Sequence, residues 1–322
     1  MGSPARRLLR ISEREIGFQR RGFRCGTPQA RQCIEEIGAS FLHGYHLALD
    51  ADDLPSLLEG LEPMSSRMRG FGYEGAAMAL YLLDRLPFMG GGRFDAFLEN
   101  RGGDHIYMAY VGAGWAHARL PFGLRAGLDR LDPLLRWLAI DGYGFHQGFF
   151  HWPTSVEGRR TIPSRIQGYG RRVFDQGLGR SLWFVDGQNV EAVAASISRF
   201  PVHRHADLWA GAGLAITYAG GAETEALSWL RQRAGKHAGW LAQGSAFAVK
   251  ARARAGNQEA HAEDACRALC DMSAQAASAL VDAAQRDLPP GEHDRPAYET
   301  WRVRIHEGLA ASMTDHMERM SV

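Results

Sequence analysis

The side chains best placed for acid–base chemistry are polar residues that stand beside glycines in otherwise apolar stretches. They are Glu74 in YEGAAMALYLL, His146 and Gln147 in FHQGFFHW, and Asp175 and Gln176 in FDQGLGRSLWF. Carboxyl and imidazole side chains are the usual general acids and bases, and a shared internal cavity would bring these together. Glu74, His146 and Asp175 are therefore the candidate catalytic groups, gathered around one internal cavity. The residue preceding the repeated glycine is polar at Glu74, Gln147, Gln176, Gln243 and Gln275 but apolar at Ile37, Val111 and Ala210. The competing role for this column is structural, as caps or helix-to-helix hydrogen bonds in a satisfied interior.

Aromatic residues concentrate mid-chain, in the tract Gly142-Tyr143-Gly144-Phe145-His146-Gln147-Gly148-Phe149-Phe150-His151-Trp152. Such a tract suits the wall of an apolar pocket with a few polar handles, able to hold a long, flat, unsaturated molecule. Ordinary core packing is the alternative for any one of these rings. The candidate ligand-binding set is Tyr73, Trp115, His117, Tyr143, Phe145, Gln147, Phe149, His151, Trp152, Gln176 and Trp183.

The chain has 13 histidines, and His43 with His46, His146 with His151, and His203 with His205 lie close in sequence. None forms HExxH or a Cys–His zinc pattern, so no metal site is expected from spacing, although ligands from distant segments stay open. The sequence names no cofactor and leaves that question open: GxSxG, P-loop and dinucleotide motifs are missing, and Gly112-Ala113-Gly114 follows no strand signal. His146, His151 and His117 are the first histidines to test as acid–base groups.

The elements that would position these residues repeat along the chain. Gly38, Gly75, Gly112, Gly148, Gly177, Gly211 and Gly244, then Ala276, are separated by 37, 37, 36, 29, 34, 33 and 32 residues. Apolar residues follow each glycine at helical spacing, while period-two runs of Val, Ile and Thr are nearly absent. Thr27-Pro28, Asp132-Pro133 and Ser273 read as helix starts, and Gly220-Gly221 and Gly256-Asn257 as stops. The expectation is an all-α fold of helical hairpins, α-solenoid-like, in which neighbouring helices cross at the glycines. Gly75, Gly112 and Gly148 match Gly177, Gly211 and Gly244, which implies an internal duplication. The expected organisation is a basic N-terminal segment over 1–26, a first half over 27–160 and a second over 161–322.

Lys and Arg total 37 against 36 Asp and Glu, so no net field draws in nucleic acid. No apolar run is long enough for a membrane span or a signal-peptide core, and the cytoplasm is the expected location. The four cysteines, among them Cys266 and Cys270 on one helix face, are expected to be small buried hydrophobes. Arg6, Arg7, Arg10, Arg20, Arg21 and Arg24, and Arg159, Arg160, Arg165, Arg171 and Arg172, form basic clusters. They are either solvated surface or a docking patch for an acidic partner such as an acyl carrier protein.

The stretches RGFGYEGAAMALYLLD, YVGAGWAHARLP, LDPLLRWLAIDGYGFHQGFFHW, FDQGLGRSLWF and DLWAGAGLAITYAGG resemble a bacterial family of unknown function encoded beside iterative enediyne-type polyketide synthases. The resemblance runs from about Arg7 to Arg304. It implies an accessory role in enediyne or related polyene polyketide biosynthesis, and it transfers no catalytic residues. Three functions follow as alternatives: an enzyme acting on a linear polyene intermediate, a carrier that shields one, or a scaffold docking the synthase or its carrier domain. An aromatic-lined cavity with converging polar groups favours the first two, and an open charged face the third.

Overall fold

Described residues 9–24, 26–87, 89–158, 161–291 and 295–320, with backbone alone for 313–320, contain sixteen α-helices and no strand in this computed structural model. Seven long helices form the inner layer: α2 (Pro28–Asp50), α4 (Ser66–Arg85), α6 (Ile106–Arg119), α8 (Arg136–Phe150), α9 (Gly170–Val185), α11 (His205–Ala219) and α13 (Ala238–Arg254). Short helices join most of them: α3 (Leu54–Leu61), α5 (Arg93–Leu98), α7 (Leu124–Leu128), α10 (Val190–Ser198) and α12 (Thr224–Ala234). α14 (Ala260–Cys270), α15 (Ala274–Gln285) and α16 (Ala297–Met320) close the end beyond α13, and a short α1 (Phe18–Arg21) lies near the N-terminus.

Most inner helices are buried nearly all round, whereas α2 keeps an exposed polar face at Gln32, Glu35, Glu36 and His43. In α4 all residues from Gly70 to Leu83 are buried, the pattern of a helix with neighbours all round. What lets these helices approach is a G-x-G or G-x-A pair near the middle of each from α4 to α13, while α2 crosses at the single Gly44. A Cβ built on Gly75 would overlap the carbonyl oxygen of Phe41, and one on Gly112 that of Glu74. Gly142 and Gly114 stand in the same way against Val111 and Ala139, and Gly177 and Gly144 against Asp141 and Phe174. Gly211 and Gly179 meet Gln176 and Leu208, and Gly244 and Gly213 meet Ala210 and Leu241. Two residues turn a helix by about 200°, so each pair presents one glycine to the preceding helix and one to the following helix. At each crossing the contacts run in opposite directions (Val111 to Gly142, Gly114 to Ala139), so successive inner helices are antiparallel.

The register differs from the sequence expectation at three places. A Cβ on Gly38 would meet only the side chain of Ile16, and the crossing glycine of α2 is Gly44, against Gly72. On α8 the crossing residues are Gly142 and Gly144, whereas Gly148 faces the side chains of Ser181 and Leu178. Ala276 is exposed. Sequence spacing favoured Gly148 because it keeps the interval from Gly112 at 36; with Gly142 that interval is 30 and the next, to Gly177, is 35, so the short step lies between α6 and α8. Across the loop between α8 and α9, where two halves were expected to join, these helices cross as closely as the other pairs, and one buried core runs from Ile11 to Leu309.

The local signals behave as their chemistry demands. Thr27 Oγ1 accepts from Ala30 N at 3.1 Å, and Ser273 Oγ from Ala276 N at 3.2 Å. Gly220 and Gly256 take positive φ at helix ends. Cys266 and Cys270 are fully buried, and the Cys270 thiol donates to Ala242 O at 3.2 Å. Among the described residues no helix is long and apolar enough to cross a membrane.

Residues 9–24 cross the ends of α2 and α8 as a strap. Tyr45 Oη donates to Leu9 O at 2.7 Å, Trp152 Nε1 donates to Arg21 O at 2.8 Å, and Phe23 stacks edge-on against Phe149. The arginines of this basic segment are spent holding it down. Arg10 pairs with Asp50, Arg20 and Arg21 with Glu15, and Arg24 with the fully buried Asp186 and with Glu157. Arg6, Arg7, Arg159 and Arg160 lie outside the described residues.

Candidate functional site

Six inner helices, α2, α4, α6, α8, α9 and α11, wall a common cavity of about 50 Å³, and Ile11 and Ile16 of the strap cover one side of it. Its surface is apolar and aromatic: Phe41, Phe71, Trp115, Phe145, Phe149 and Phe184 contribute. Phe41 and Trp115 lie 4.6 Å apart between ring centroids, and Trp115 and Phe145 5.2 Å, so the rings form one continuous wall. Three polar groups interrupt it: Glu74 from α4, Arg180 from α9 and Tyr218 from α11.

These polar groups, with the indole of Trp115, leave hydrogen-bonding capacity unused. Glu74 Oε1, Trp115 Nε1, Arg180 Nε and Tyr218 Oη make no bond of normal hydrogen-bond geometry within the protein, although Trp115 stands close enough to Glu74, and Asn257 to Tyr218, to act on them as donors. A buried polar atom without a full partner costs about 1–3 kcal/mol, and the four residues that carry these atoms all line the one cavity. Arg180 is otherwise held: it pairs with Asp141, which also accepts from Gln176 Nε2 at 2.9 Å, and its guanidinium lies 5.0 Å from the Phe145 ring centroid. Burial pushes the Glu74 carboxyl up to about 8, against the pull of Arg180; the Asp141 charge adds to the rise and the Trp115 indole favours the carboxylate. At neutral pH Glu74 is therefore a protonated acid beside a fixed positive charge, a group that can donate a proton and have the resulting carboxylate stabilised. Burial also raises the Tyr218 hydroxyl, opposed by Arg252 and Asn257.

Of the three catalytic candidates, only Glu74 reaches the cavity. His146 stands behind Trp115, with ring centroids 5.5 Å apart and the planes near perpendicular, and lines no cavity wall. Burial, with His151, Arg119 and Arg21, holds its imidazole down to about 3, so it is neutral at pH 7 and a weak base. Asp175 faces the opposite side of α9. Arg204 clamps it, donating from Nε at 2.8 Å and again from its terminal nitrogen, and burial raises its carboxyl despite that pairing.

Of the ligand-binding candidates, Trp115, Phe145 and Phe149 line the cavity. Phe145 and Phe149 are one helical turn apart and share the inward face of α8, which turns Tyr143 and Gln147 elsewhere. Tyr143 Oη accepts from Arg165 Nε at 2.9 Å. Tyr73 stacks on His105 at 4.0 Å on the outer side of α4. His117, held down to about 3 by burial and by Arg85 and Arg165, contacts Tyr81 Oη through Nε2 at 2.9 Å. Trp152 is bonded to the strap, His151 is exposed, and Gln176 is bound to Asp141 behind the wall. Trp183 Nε1 donates to Gly220 O at 3.0 Å.

Sequence reasoning missed Asp141, Arg180, Leu214 and Tyr218. The first was recoverable. With the crossing glycine of α8 placed at Gly142, the residue preceding it is Asp141, which joins Glu74, Gln176 and Gln243 in the polar column. Arg180 is one turn beyond Gln176 and shares its face. Among the described residues no three His, Cys, Asp or Glu side chains cluster as metal ligands would.

A family model described as a protein of unknown function (DUF1702) matches residues 1–309, and the chain belongs to that family. No curated protein and no solved structure matches it.

Proposed function

We propose that this protein binds an elongated apolar molecule carrying an oxygen function, and that Glu74 exchanges a proton with that oxygen. The observation that carries the reading is that four polar residues, Glu74, Trp115, Arg180 and Tyr218, line one aromatic cavity, each with a buried side-chain atom outside normal hydrogen-bond geometry. Trp115 Nε1 and Arg180 Nε can only donate, and the protonated Glu74 and the Tyr218 hydroxyl donate as well, so the complementary atom is an acceptor such as a carbonyl oxygen. With Glu74 neutral, Arg180 and Asp141 cancel, which favours an uncharged ligand over an anion.

The cavity of about 50 Å³ is well below the ~150 Å³ that accommodates benzene. A long ligand therefore enters by displacing side chains, with Ile11 and Ile16 of the strap at hand to yield. The resemblance to proteins encoded beside enediyne-type synthases makes a polyene polyketide intermediate the first molecule to try, as substrate or as cargo.

The alternative, a scaffold that docks the synthase or its carrier domain through basic clusters, has less behind it. Arg20 and Arg21 pair with Glu15 inside the strap, Arg10 with Asp50, and Arg24 with Glu157 and Asp186. Arg165 serves Tyr143 and Leu120, and Arg172 serves Asp207 and Glu299.

Native mass spectrometry of protein purified from cells co-expressing an enediyne-type synthase tests the reading. An uncharged unsaturated compound is expected to travel with the wild type and to be lost or left unconverted in Glu74→Gln. A compound retained and processed equally by the variant would remove Glu74 from the chemistry, and a bare wild type that also ignores added polyenes would turn the case toward the scaffold.

A further inference from the structure

The cavity does not stop at Arg180. A second one, of about 40 Å³, begins on the far side of that residue, walled by Tyr107, Phe247, Ala251 and Trp301 among others. Arg180, Leu214 and Tyr218 belong to the walls of both, so the partition between them includes three side chains. Leu214 is the informative one. From Asp207 to Gly220 every residue is buried except Leu214, which sits beside the crossing glycines Gly211 and Gly213 in the middle of the inner layer. Its accessible surface faces these interior spaces. A leucine that turns between staggered rotamers can open such a partition without moving backbone.

The chemistry of the second space is that of a tail site. On its wall Asp141 and Arg180 pair with each other, the Tyr218 hydroxyl belongs to the waist shared with the first cavity, and Phe247 and Trp301 pack as an edge-to-face pair with centroids 4.8 Å apart. Such walls reward apolar surface and offer little to a second polar head.

We propose that the two cavities are compartments of one bore that takes a single chain-like ligand. The ligand's oxygen lies at the Arg180–Tyr218 waist and its hydrocarbon tail passes Leu214 to lie against Phe247 and Trp301. This rests on the ligand class proposed above and adds its shape: a straight chain long enough to span both compartments.

A series of straight-chain methyl ketones, from heptanone to heptadecanone, tests the bore by calorimetry. In the wild type each methylene that enters the second compartment should tighten binding about fourfold. Ala251→Phe fills that compartment and should cost the longest ketones about tenfold or more in affinity while the shortest bind as before. Leu214→Ala should have the opposite effect and favour the long members. A length profile that is the same in wild type, Ala251→Phe and Leu214→Ala would overturn the bore. Should Ala251→Phe fail to fold, an unchanged profile in Leu214→Ala alone is enough to overturn it. Short ketones that bind in a Glu74-dependent way without any gain on lengthening would overturn the bore and leave the Glu74 site standing. No binding at any length would sink both.

Discussion

Among the described residues two buried polar clusters are built on opposite rules. In one, where α9, α11 and α16 meet, Arg302 pairs with Asp207 at 2.8 Å and Glu299 at 3.4 Å, and Arg172 with the same two carboxylates at 3.0 and 2.6 Å. Tyr169 Oη adds a bond to Glu299 at 2.6 Å, and only the Gln243 amide nitrogen at its edge goes without a partner. In the other, around the cavity, Arg180 and Asp141 are paired while Glu74, Trp115 and Tyr218 each keep a polar atom outside normal hydrogen-bond geometry. Asp207, Glu299 and Arg302 of the first cluster are as buried as the groups of the second, and Arg172 alone reaches solvent, so among the buried groups the contrast comes from satisfaction. A complete network fixes one arrangement of helices. An incomplete one on a cavity wall carries a cost that folding alone does not explain, and it marks the place where an outside molecule is expected.

The contrast is broken most directly by removing a member of the complete cluster. Arg302→Met leaves Asp207 and Glu299 sharing Arg172 alone, with one buried negative charge in excess. Stripping one partner from a buried pair costs about 3–5 kcal/mol, and urea unfolding should record a loss of that size. A variant as stable as the wild type would mean that the paired cluster is as dispensable as the unpaired one.

The cavity cluster should respond with the opposite sign. A carboxyl whose pKa is higher in the folded than in the unfolded protein binds its proton more tightly when native, so stability falls as pH rises between the two values. For Glu74 that window runs from the ordinary 4.5 to about 8. Asp186, pushed up to about 6 by burial against the pull of Ser196 and Arg24, adds slope only in the lower part. Glu74→Gln should therefore flatten the curve chiefly between about pH 6 and 8 and leave the variant more stable at pH 8, by on the order of 3 kcal/mol. A curve of unchanged slope would mean that Glu74 is ionised in the native protein at neutral pH.

Both clusters hang on the helix crossings, and the crossings can be graded. At Gly211 an added methyl meets the backbone of Gln176, which cannot turn aside, whereas at Gly38 it meets the side chain of Ile16 on the strap. Gly211→Ala should cost about 2 kcal/mol or more, and Gly38→Ala should stay within about 1 kcal/mol. Equal losses would remove backbone contact as the reason for the repeated glycine.

The all-α class, the glycine repeat and most helix ends were legible in the sequence because each follows from local chemistry: Pro28 after Thr27, Ser273 ahead of α15, two-residue glycine pairs on apolar helices. The site was legible only in part. The column before each glycine gave Glu74 and Gln176 correctly as interior polar groups. A six-residue slip to Gly148 replaced Asp141 by Gln147 and brought His146 forward in place of its neighbours. Which face of α9 turns inward depends on both flanking helices at once. The sequence treats Asp175 and Gln176 alike, whereas packing sends one to Arg204 and the other to Asp141. Arg180 and Tyr218 carry no motif at all, because their role comes from where neighbouring helices place them.

The smallest effect is also the sharpest test of the contrast, because it compares two tryptophans of similar burial. Trp183 Nε1 donates to Gly220 O, while Trp115 Nε1 makes no bond of normal hydrogen-bond geometry. Trp→Phe removes the donor and part of the ring at both sites, so the loss of packing is similar in the two. At Trp183 the change also strips a buried carbonyl of its better donor, leaving it Gln188 Nε2 at 3.4 Å, which adds about 1 kcal/mol. At Trp115 it relieves an unpaired N–H instead, which offsets the lost contacts, and the net change should be about 1 kcal/mol or less. Thermal unfolding of the two variants side by side gives the difference directly. If Trp115→Phe is the more damaging, that indole is bonded in solution and belongs with the complete cluster. If it is nearly silent in stability yet weakens binding of an oxygen-bearing apolar ligand, the free N–H is kept for that ligand.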